Sequence, residues 1–276
     1  MTLAQLIAST EKQFKKARLH YGHGTDNAHD EAAFLVLRAL RLPFSSDLTC
    51  AVSVRGATRI ESLVRKRIGE RVPVAYLLHE AWLDGQRFYV DQRVIVPRSH
   101  IAFLLKDLPP PKRVLDLCTG SGCLAVLAAR AFPQARVTAS DISTDALAVA
   151  RRNVGGRKIR LVRSDLFENV RGAFDLIITN PPYVPTPSMR RLPGEYRWEP
   201  ALALGAGRDG LDLVRRILAQ AGPYLSAKGN LVCEVGEARD ALEKAFPRLP
   251  FTWLDDSVLR LERSQLSKEF GVSDGN

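Results

Sequence analysis

Residues 114–122 read Val114-Leu115-Asp116-Leu117-Cys118-Thr119-Gly120-Ser121-Gly122, an apolar run that breaks into a glycine turn. Residues 122–131 follow, rich in Ala and Leu, and read as a helix. Arg113–Leu117 reads as a short strand buried on both faces. Gly120 and Gly122 carry no Cβ, so backbone there can approach a ligand closely. Strand, glycine turn and helix in this order open a nucleoside-binding α/β unit, whose ligand lies over the carboxyl ends of the strands.

Downstream the alternation continues. Residues 135–140 read as a strand and 143–153 as a helix capped by Ser143 or Thr144. Residues 159–164 and Phe174–Thr179 are further strands, 209–225 a helix and 230–235 a strand. Short strands near 251–254 and 258–261 close the chain. Strands separated by helices require right-handed crossovers, so the expected fold is α/β, a mostly parallel sheet between two helical layers. Upstream the pattern differs. Residues 1–71 carry helical spacing, with Leu3, Leu6, Ile7 and Phe14 on one face and Ile60, Leu63, Val64 and Ile68 on another. Asp26-Asn27 is a cap signal, and Pro43 and Gly56 punctuate the helices. Residues 82–96 favour strands around an Asp84-Gly85 turn and predict a linking β-hairpin.

Composition bounds the function. The chain has 276 residues, 46% hydrophobic, which is enough for a core and excludes disorder as its main state. No stretch of 18 residues lacks a charge, so no membrane span is expected. Residues 1–10 hold no Lys or Arg, which is not a secretory signal. Four cysteines without a Cys-x-x-Cys pair make neither a disulfide framework nor a zinc knuckle. A reducing cytoplasm with free thiols is expected, and the five histidines show no metal spacing. Net charge is +10, and residues 1–75 hold 12 basic against 7 acidic residues. Such a basic front quarter points to polyanionic surroundings such as RNA, DNA or ribosomes.

Asp141 stands at the end of the second strand, about 20 residues after the glycine loop, where a carboxylate accepts ribose hydroxyls. Ile142 follows it and is placed at the same ligand. Asp165 ends the third strand, within reach of a base edge, with Leu166 packing on the ring. Asp116 lies where a carboxylate would face a cationic cofactor, and Cys118, Thr119 and Ser121 complete the loop. Gly120-x-Gly122-x-x-Ala125 also fits a dinucleotide fingerprint, so a dehydrogenase remains open from this loop alone.

The strand Phe174–Thr179 runs into Asn180-Pro181-Pro182-Tyr183. Two prolines fix the backbone and remove two N–H donors. The Asn180 side-chain oxygen and the Pro181 carbonyl remain as acceptors, and Tyr183 offers a flat ring beside them. Such a site suits a planar group bearing an NH2. Amide nitrogen is a poor nucleophile because its lone pair is delocalised. Holding both hydrogens orients that lone pair, which is the lever the site has available. No strong general base is evident or required before attack, because the nitrogen becomes more acidic as it bonds to carbon.

Together the glycine loop, Asp141 and Asn180-Pro181-Pro182-Tyr183 resemble class I S-adenosylmethionine methyltransferases that act on planar NH2 groups. Residues 71–77, the hairpin, Val94-Ile95-Val96-Pro97-Arg98-Ser99 and Glu199-Pro200-Ala201-Leu202-Ala203-Leu204 resemble the HemK-like protein-glutamine methyltransferases over roughly residues 30–254. Within them, Val96–Ser99 together with Asp116-Leu117-Cys118-Thr119 most resembles the branch acting on a glutamine of large-subunit ribosomal protein three. The sister branch acts on peptide release factors and typically has Gly where this chain has Cys118. The resemblance implies a seven-stranded Rossmann-like sheet in residues 101–276, a helical substrate-recognition domain in 1–78 and a hairpin linker in 79–100. It implies S-adenosylmethionine held by residues 118–122 and Asp141, with Leu166 near the adenine. It places the glutamine amide on Asn180 and Pro181 with Tyr183 beside it. A large-subunit ribosomal protein is the implied partner, with contact to ribosomal RNA or a pre-ribosomal particle. Two stretches depart from the pattern: residues 187–191 are more basic, and residues 255–260 lack a glycine-rich turn. Three other readings stand beside this one. They are methylation of the exocyclic amine of adenine, methylation of a release factor, and a cofactor-binding ribosome assembly factor without activity.

Overall fold

A computed structural model describes residues 1–271. Helices α1 (Leu3–Lys16), α2 (Ala28–Ala39), α3 (Val54–Gly69) and α4 (Val74–Leu78) come first. Side chains cap the first three. Thr2 and Gln5 form a reciprocal box, Asn27 accepts from Asp30 N–H, and Ser53 accepts from Gly56 N–H. Phe14, Leu35, Ile60 and Val64 bury into their shared core. Gly56 was expected to interrupt the helices, yet it lies in the first turn of α3. A Cβ there would meet Leu40 at 3.0 Å, so the glycine serves close helix packing.

The hairpin is β1 (Ala81–Leu83) against β2 (Gln86–Phe88), turning at Asp84-Gly85. It is shorter than the predicted 82–96. Tyr89, Val90, Val94 and Val96 leave the ladder and pack with Val72, Tyr76 and Val149 instead, so burial rather than strand pairing takes up their apolar side chains. A short helix α5 (Ile101–Leu104) follows.

The rest alternates: β3 (Arg113–Leu117), α6 (Cys123–Ala131), β4 (Arg136–Asp141), α7 (Thr144–Val154), β5 (Ile159–Arg163), β6 (Phe174–Thr179) and α8 (Thr186–Met189). Then come α9 (Asp212–Ala221), β7 (Leu225–Glu234), α10 (Arg239–Ala245), β8 (Thr252–Trp253), β9 (Val258–Glu262) and α11 (Arg263–Phe270). The seven-stranded sheet has the order β5-β4-β3-β6-β7-β9-β8. β5, β4, β3, β6 and β7 are parallel, and β9 runs antiparallel to β7 and β8. Alternate residues of β6 serve opposite cores: Leu176 and Ile178 pack beside α6, Ile177 beside α9 and α11. Successive strands step outward from β3 to β5, then cross back to β6. That reversal opens a crevice at the carboxyl ends of β3 and β6.

Three local departures have physical causes. β7 starts five residues before the expected 230, because a bulge between Phe174 and Leu176 absorbs Ser226–Gly229. A Cβ on Gly229 would meet the Phe174 carbonyl at 2.7 Å. The closing turn has no glycine-rich stretch because the Asp255 carboxylate takes the N–H groups of Ser257 and Val258, both at 2.7 Å. The chain then forms α11, which the sequence reading missed, and whose Glu262–Gln265 capping box is a legible start signal. No helix among the described residues is long and apolar enough to cross a membrane.

Candidate functional site

A cavity of about 210 Å³ lies over the carboxyl ends of β3 to β6. Leu117 and Cys118 reach it from β3, Ser140 and Asp141 from β4, Asp165 and Leu166 from beyond β5, and Asn180 from β6. Parallel register sets them side by side, with Leu117 opposite both Ser140 and Thr179. Cys118, Gly120, Asp141, Ile142, Asp165, Leu166 and Asn180, all named from the sequence, line this one cavity.

Asp141 is built into the loop. Its Oδ2 accepts from Gly120 N–H and its Oδ1 from Ser143 N–H, each at 2.9 Å. One lone pair on each oxygen remains for a ligand. Burial pushes its carboxyl up against the pull of those two N–H groups. Gly120 has φ of +55° and nothing within 4 Å of its Cβ position, so its surface is open. Gly122, at φ +79°, differs: a Cβ there would press on Ala150 at 3.1 Å. It serves the contact of α6 with α7 and does not line the cavity.

Asp116 does not line it either. The side chain is fully buried, and its Oδ2 accepts from the Thr119 hydroxyl at 2.5 Å and from Ala125 N–H at 2.9 Å. It fastens the loop to α6 from beneath. Burial pushes this carboxyl up to about 7. Thr119 is spent on that bond, and Ser121 gives its carbonyl to the Asn153 amide. These three shape the loop from outside the cavity, because the strand end turns them inward.

Asn180 lines the cavity, with Pro182 beside it. Among the described residues no hydrogen bond engages the Asn180 amide. Pro181 is buried behind it. Tyr183 is turned away from the cavity toward Gly236, where a Cβ would fall 2.5 Å from the ring. Burial and then Glu234 raise its hydroxyl to about 12, so it stays protonated at neutral pH.

Residues 100–190 match the family described as Methyltransferase small domain. A solved structure, the hMettl16 catalytic domain in complex with MAT2A 3'UTR hairpin 6, overlays with a TM-score of 0.50 at 15% identity. The overlay covers 79% of this chain and 86% of that one, and what the two share is the fold. The ribosomal protein uL3 glutamine methyltransferase of Bordetella pertussis is 51% identical over 96% of this chain and 96% of its own length. That of Neisseria meningitidis serogroup B is 46% identical over 97% and 95%.

The chain belongs to the uL3 glutamine methyltransferase family. It is therefore an enzyme, a methyltransferase, and the dehydrogenase, release-factor and inactive assembly-factor readings give way.

In this member of the uL3 glutamine methyltransferases, residues that sequence reasoning had not placed at the site complete the cavity. Arg93, Val94 and Ile95 form one wall, Pro200, Leu202 and Ala203 another, and Leu213 and Arg216 of α9 a third. Arg216 reaches Asp165 at 2.9 Å across the rim. The first two walls are clamped together. The fully buried Glu199 side chain accepts from Val96 N–H at 3.0 Å and takes both Arg98 nitrogens, at 2.5 and 2.7 Å. The Arg98 guanidinium also stands 5.6 Å from the Tyr196 ring centroid. The signal was present, since both walls fall in stretches that carry the family resemblance, but nothing local joins residues 101 positions apart.

Proposed function

We propose that this enzyme transfers a methyl group from S-adenosylmethionine to the side-chain amide nitrogen of a glutamine in ribosomal protein uL3. The observation that carries the reading is the unengaged Asn180 amide, set in the same cavity as the Asp141 carboxylate and the open Gly120. The residues fit the cofactor. Asp141 keeps lone pairs for ribose hydroxyls, Ile142 and Leu166 supply apolar faces for a ring, and the Asp141 carboxylate, bonded only to backbone N–H groups, favours a cation nearby. When bound, the sulfonium supplies an electrophilic methyl.

The chain's own part is orientation. The Asn180 side-chain oxygen and the Pro181 carbonyl accept the two N–H bonds of the substrate amide, so its lone pair faces the methyl. Tyr183 stays protonated and lies against Gly236 outside the cavity, so it is not the base of the reaction. Asp116 and Thr119 act from beneath, holding the loop that carries Cys118 and Gly120. Residues 1–78 are the segment we assign to protein recognition, with 79–100 as linker and 101–276 as the catalytic domain. The reading places the enzyme in the cytoplasm, and the net charge of +10 supports contact with ribosomal RNA or a pre-ribosomal particle.

The test uses purified enzyme, methyl-labelled S-adenosylmethionine and ribosomes from cells lacking the enzyme, digested separately with protease and ribonuclease. Label recovered as methylglutamine in one large-subunit protein supports the reading. Label recovered in RNA as methyladenine overturns it.

A further inference from the structure

Like charges line up along the end of the sheet opposite the cofactor cavity. Arg113 and Arg136 begin β3 and β4 and are direct partners in the parallel register. Ile159 partners Val137, so Lys158 comes level with Arg136 one strand further out. Neighbouring parallel strands lie about 4.8 Å apart, and like charges placed opposite one another repel. Arg160 follows on β5, an edge strand. Arg151 in the last turn of α7 and Arg157 in the next loop extend the row. All six are exposed.

Some cations elsewhere sit on carboxylates, among them Arg38, Arg67, Arg98, Arg130 and Arg215. Among the described residues none of the six has an acidic partner within ion-pair distance. An acid on this edge, Asp175, is committed to the N–H groups of Lys112 and Arg113 and to the Ser226 hydroxyl. Two of the cations are held in place without being neutralised. Arg113 lies over Phe174 at 5.1 Å, and Arg157 donates to the Asn153 and Val154 carbonyls at the end of α7. An ordered, uncompensated row of this kind costs folding energy, and a polyanion relieves that cost.

We propose that the amino-terminal edge of the sheet, from Arg113 across Arg136 and Lys158 to Arg160, is a docking surface for the phosphate backbone of RNA. The surface lies a full strand length from the cavity, roughly 15 Å for five residues. RNA held there leaves the catalytic face free for a protein substrate. The inference rests on the proposed function only in naming an RNA-bearing particle as the place of action, and binding is measured apart from methylation. It also places the contact outside residues 1–75, where five of the 12 basic residues, Lys15, Arg38, Arg65, Arg67 and Arg71, pair with acids.

The experiment measures binding of the full-length enzyme to a fluorescent double-stranded RNA hairpin of mixed sequence, by anisotropy over a salt series. One variant joins Arg136→Gln, Arg157→Gln, Lys158→Gln and Arg160→Gln. A control joins Arg55→Gln, Arg59→Gln and Lys66→Gln on α3. The edge variant is expected to bind at least tenfold more weakly at about 50 mM salt, and its slope of log affinity against log salt to fall by about 3. The control is expected to stay within threefold of wild type. Methylation of isolated uL3 by the edge variant stays at the wild-type level, and its Tm stays level or rises as repulsion is relieved. Equal RNA binding by edge variant and wild type overturns the proposal, as does wild-type binding no tighter than that of an uncharged carrier protein. Retained RNA binding with lost activity on particles overturns it too, and assigns the edge to an acidic protein surface. Failure of all variants and wild type to methylate uL3 would count against the proposed function and leave the binding result standing.

Discussion

Asn180 is the residue whose loss separates chemistry from binding. Asn180→Ala removes one of the two acceptors for the substrate amide, and its cost falls in the transition state. We expect kcat to drop roughly a hundredfold or more, by analogy with the loss of one positioned hydrogen-bond group elsewhere. The affinity for S-adenosylhomocysteine, measured by calorimetry, should stay within a few-fold. Asp141→Ala should reverse the pattern, weakening that affinity first. Two buried groups give opposite pH signatures. The Asp116 carboxyl rises from 3.8 to about 7 in the folded chain, so folding takes up a proton in that window and stability falls as pH rises through it. Asp116→Asn removes that fall, on the order of 4 kcal/mol. His23 is pushed down from 6.5 to about 4 by burial, against the attraction of Glu199. Its stability contribution is present above the unfolded value and lost as pH falls from 6.5 toward 4, about 3 kcal/mol in all. His23→Phe should therefore lose less stability than wild type on acidification, and Asp116→Asn less on alkalinisation. Urea titrations across the window check both signs. At this scale the sequence was informative wherever a residue sits at a strand end, as Cys118, Asp141 and Asn180 do. Asp116 and Thr119 have spacing equally right for a ligand, yet the Thr119 hydroxyl donates to Asp116 Oδ2 beneath the loop.

Among the elements, periodicity made β3, β4, β5 and β6 legible, together with the helices between them: β3 and β6 are buried runs, β5 is partly exposed but rich in branched apolar residues, and Ser143 caps α7. It failed at residues 89–96, which have strand composition without a strand partner, and at β7, where a bulge hides the start of the ladder. The clamp between the 93–98 segment and the turn at Ala201–Ala203 was beyond local reading altogether. Glu199→Gln leaves Arg98 half-buried and without its carboxylate. Breaking such a pair costs about 3 to 5 kcal/mol. Because the pair joins two cavity walls, we also expect S-adenosylhomocysteine to bind about tenfold more weakly, roughly 1.4 kcal/mol. A lowered Tm with unchanged affinity would mean the clamp supports the fold but not the cavity. Arg98→Lys, which keeps the charge and loses the fork, should fall between.

For the whole molecule, a second buried network ties the amino-terminal helices to the segment beyond Asn180. Arg67 is completely buried, takes Glu31 at 2.9 Å and Glu195 at 3.0 Å, and donates to the His20 carbonyl at 2.8 Å. Arg71 adds a bond to Glu195 at 3.4 Å, and the Trp198 indole donates to the Glu70 carbonyl. Arg67→Met strands the buried Glu31 carboxylate and leaves Glu195 with Arg71 and the His20 N–H alone, so the unfolding free energy should fall by about 3 to 5 kcal/mol, read as a lower urea midpoint. An unchanged midpoint would mean the network is energetically idle. Nothing in local pattern announces these contacts, because Glu195 lies 128 residues from Arg67 and in a stretch without regular periodicity.

That network has a consequence for anyone exchanging parts between relatives. The helical front of the chain does not end, in three dimensions, where its helices end, for Glu195 and Trp198 are pieces of it threaded through the catalytic half. A chimera spliced near residue 78 would carry Arg67 and Arg71 into a host whose matching acid need not be there. A successful graft would have to bring two separate stretches, the helices and residues 193–200, as a single discontinuous cassette.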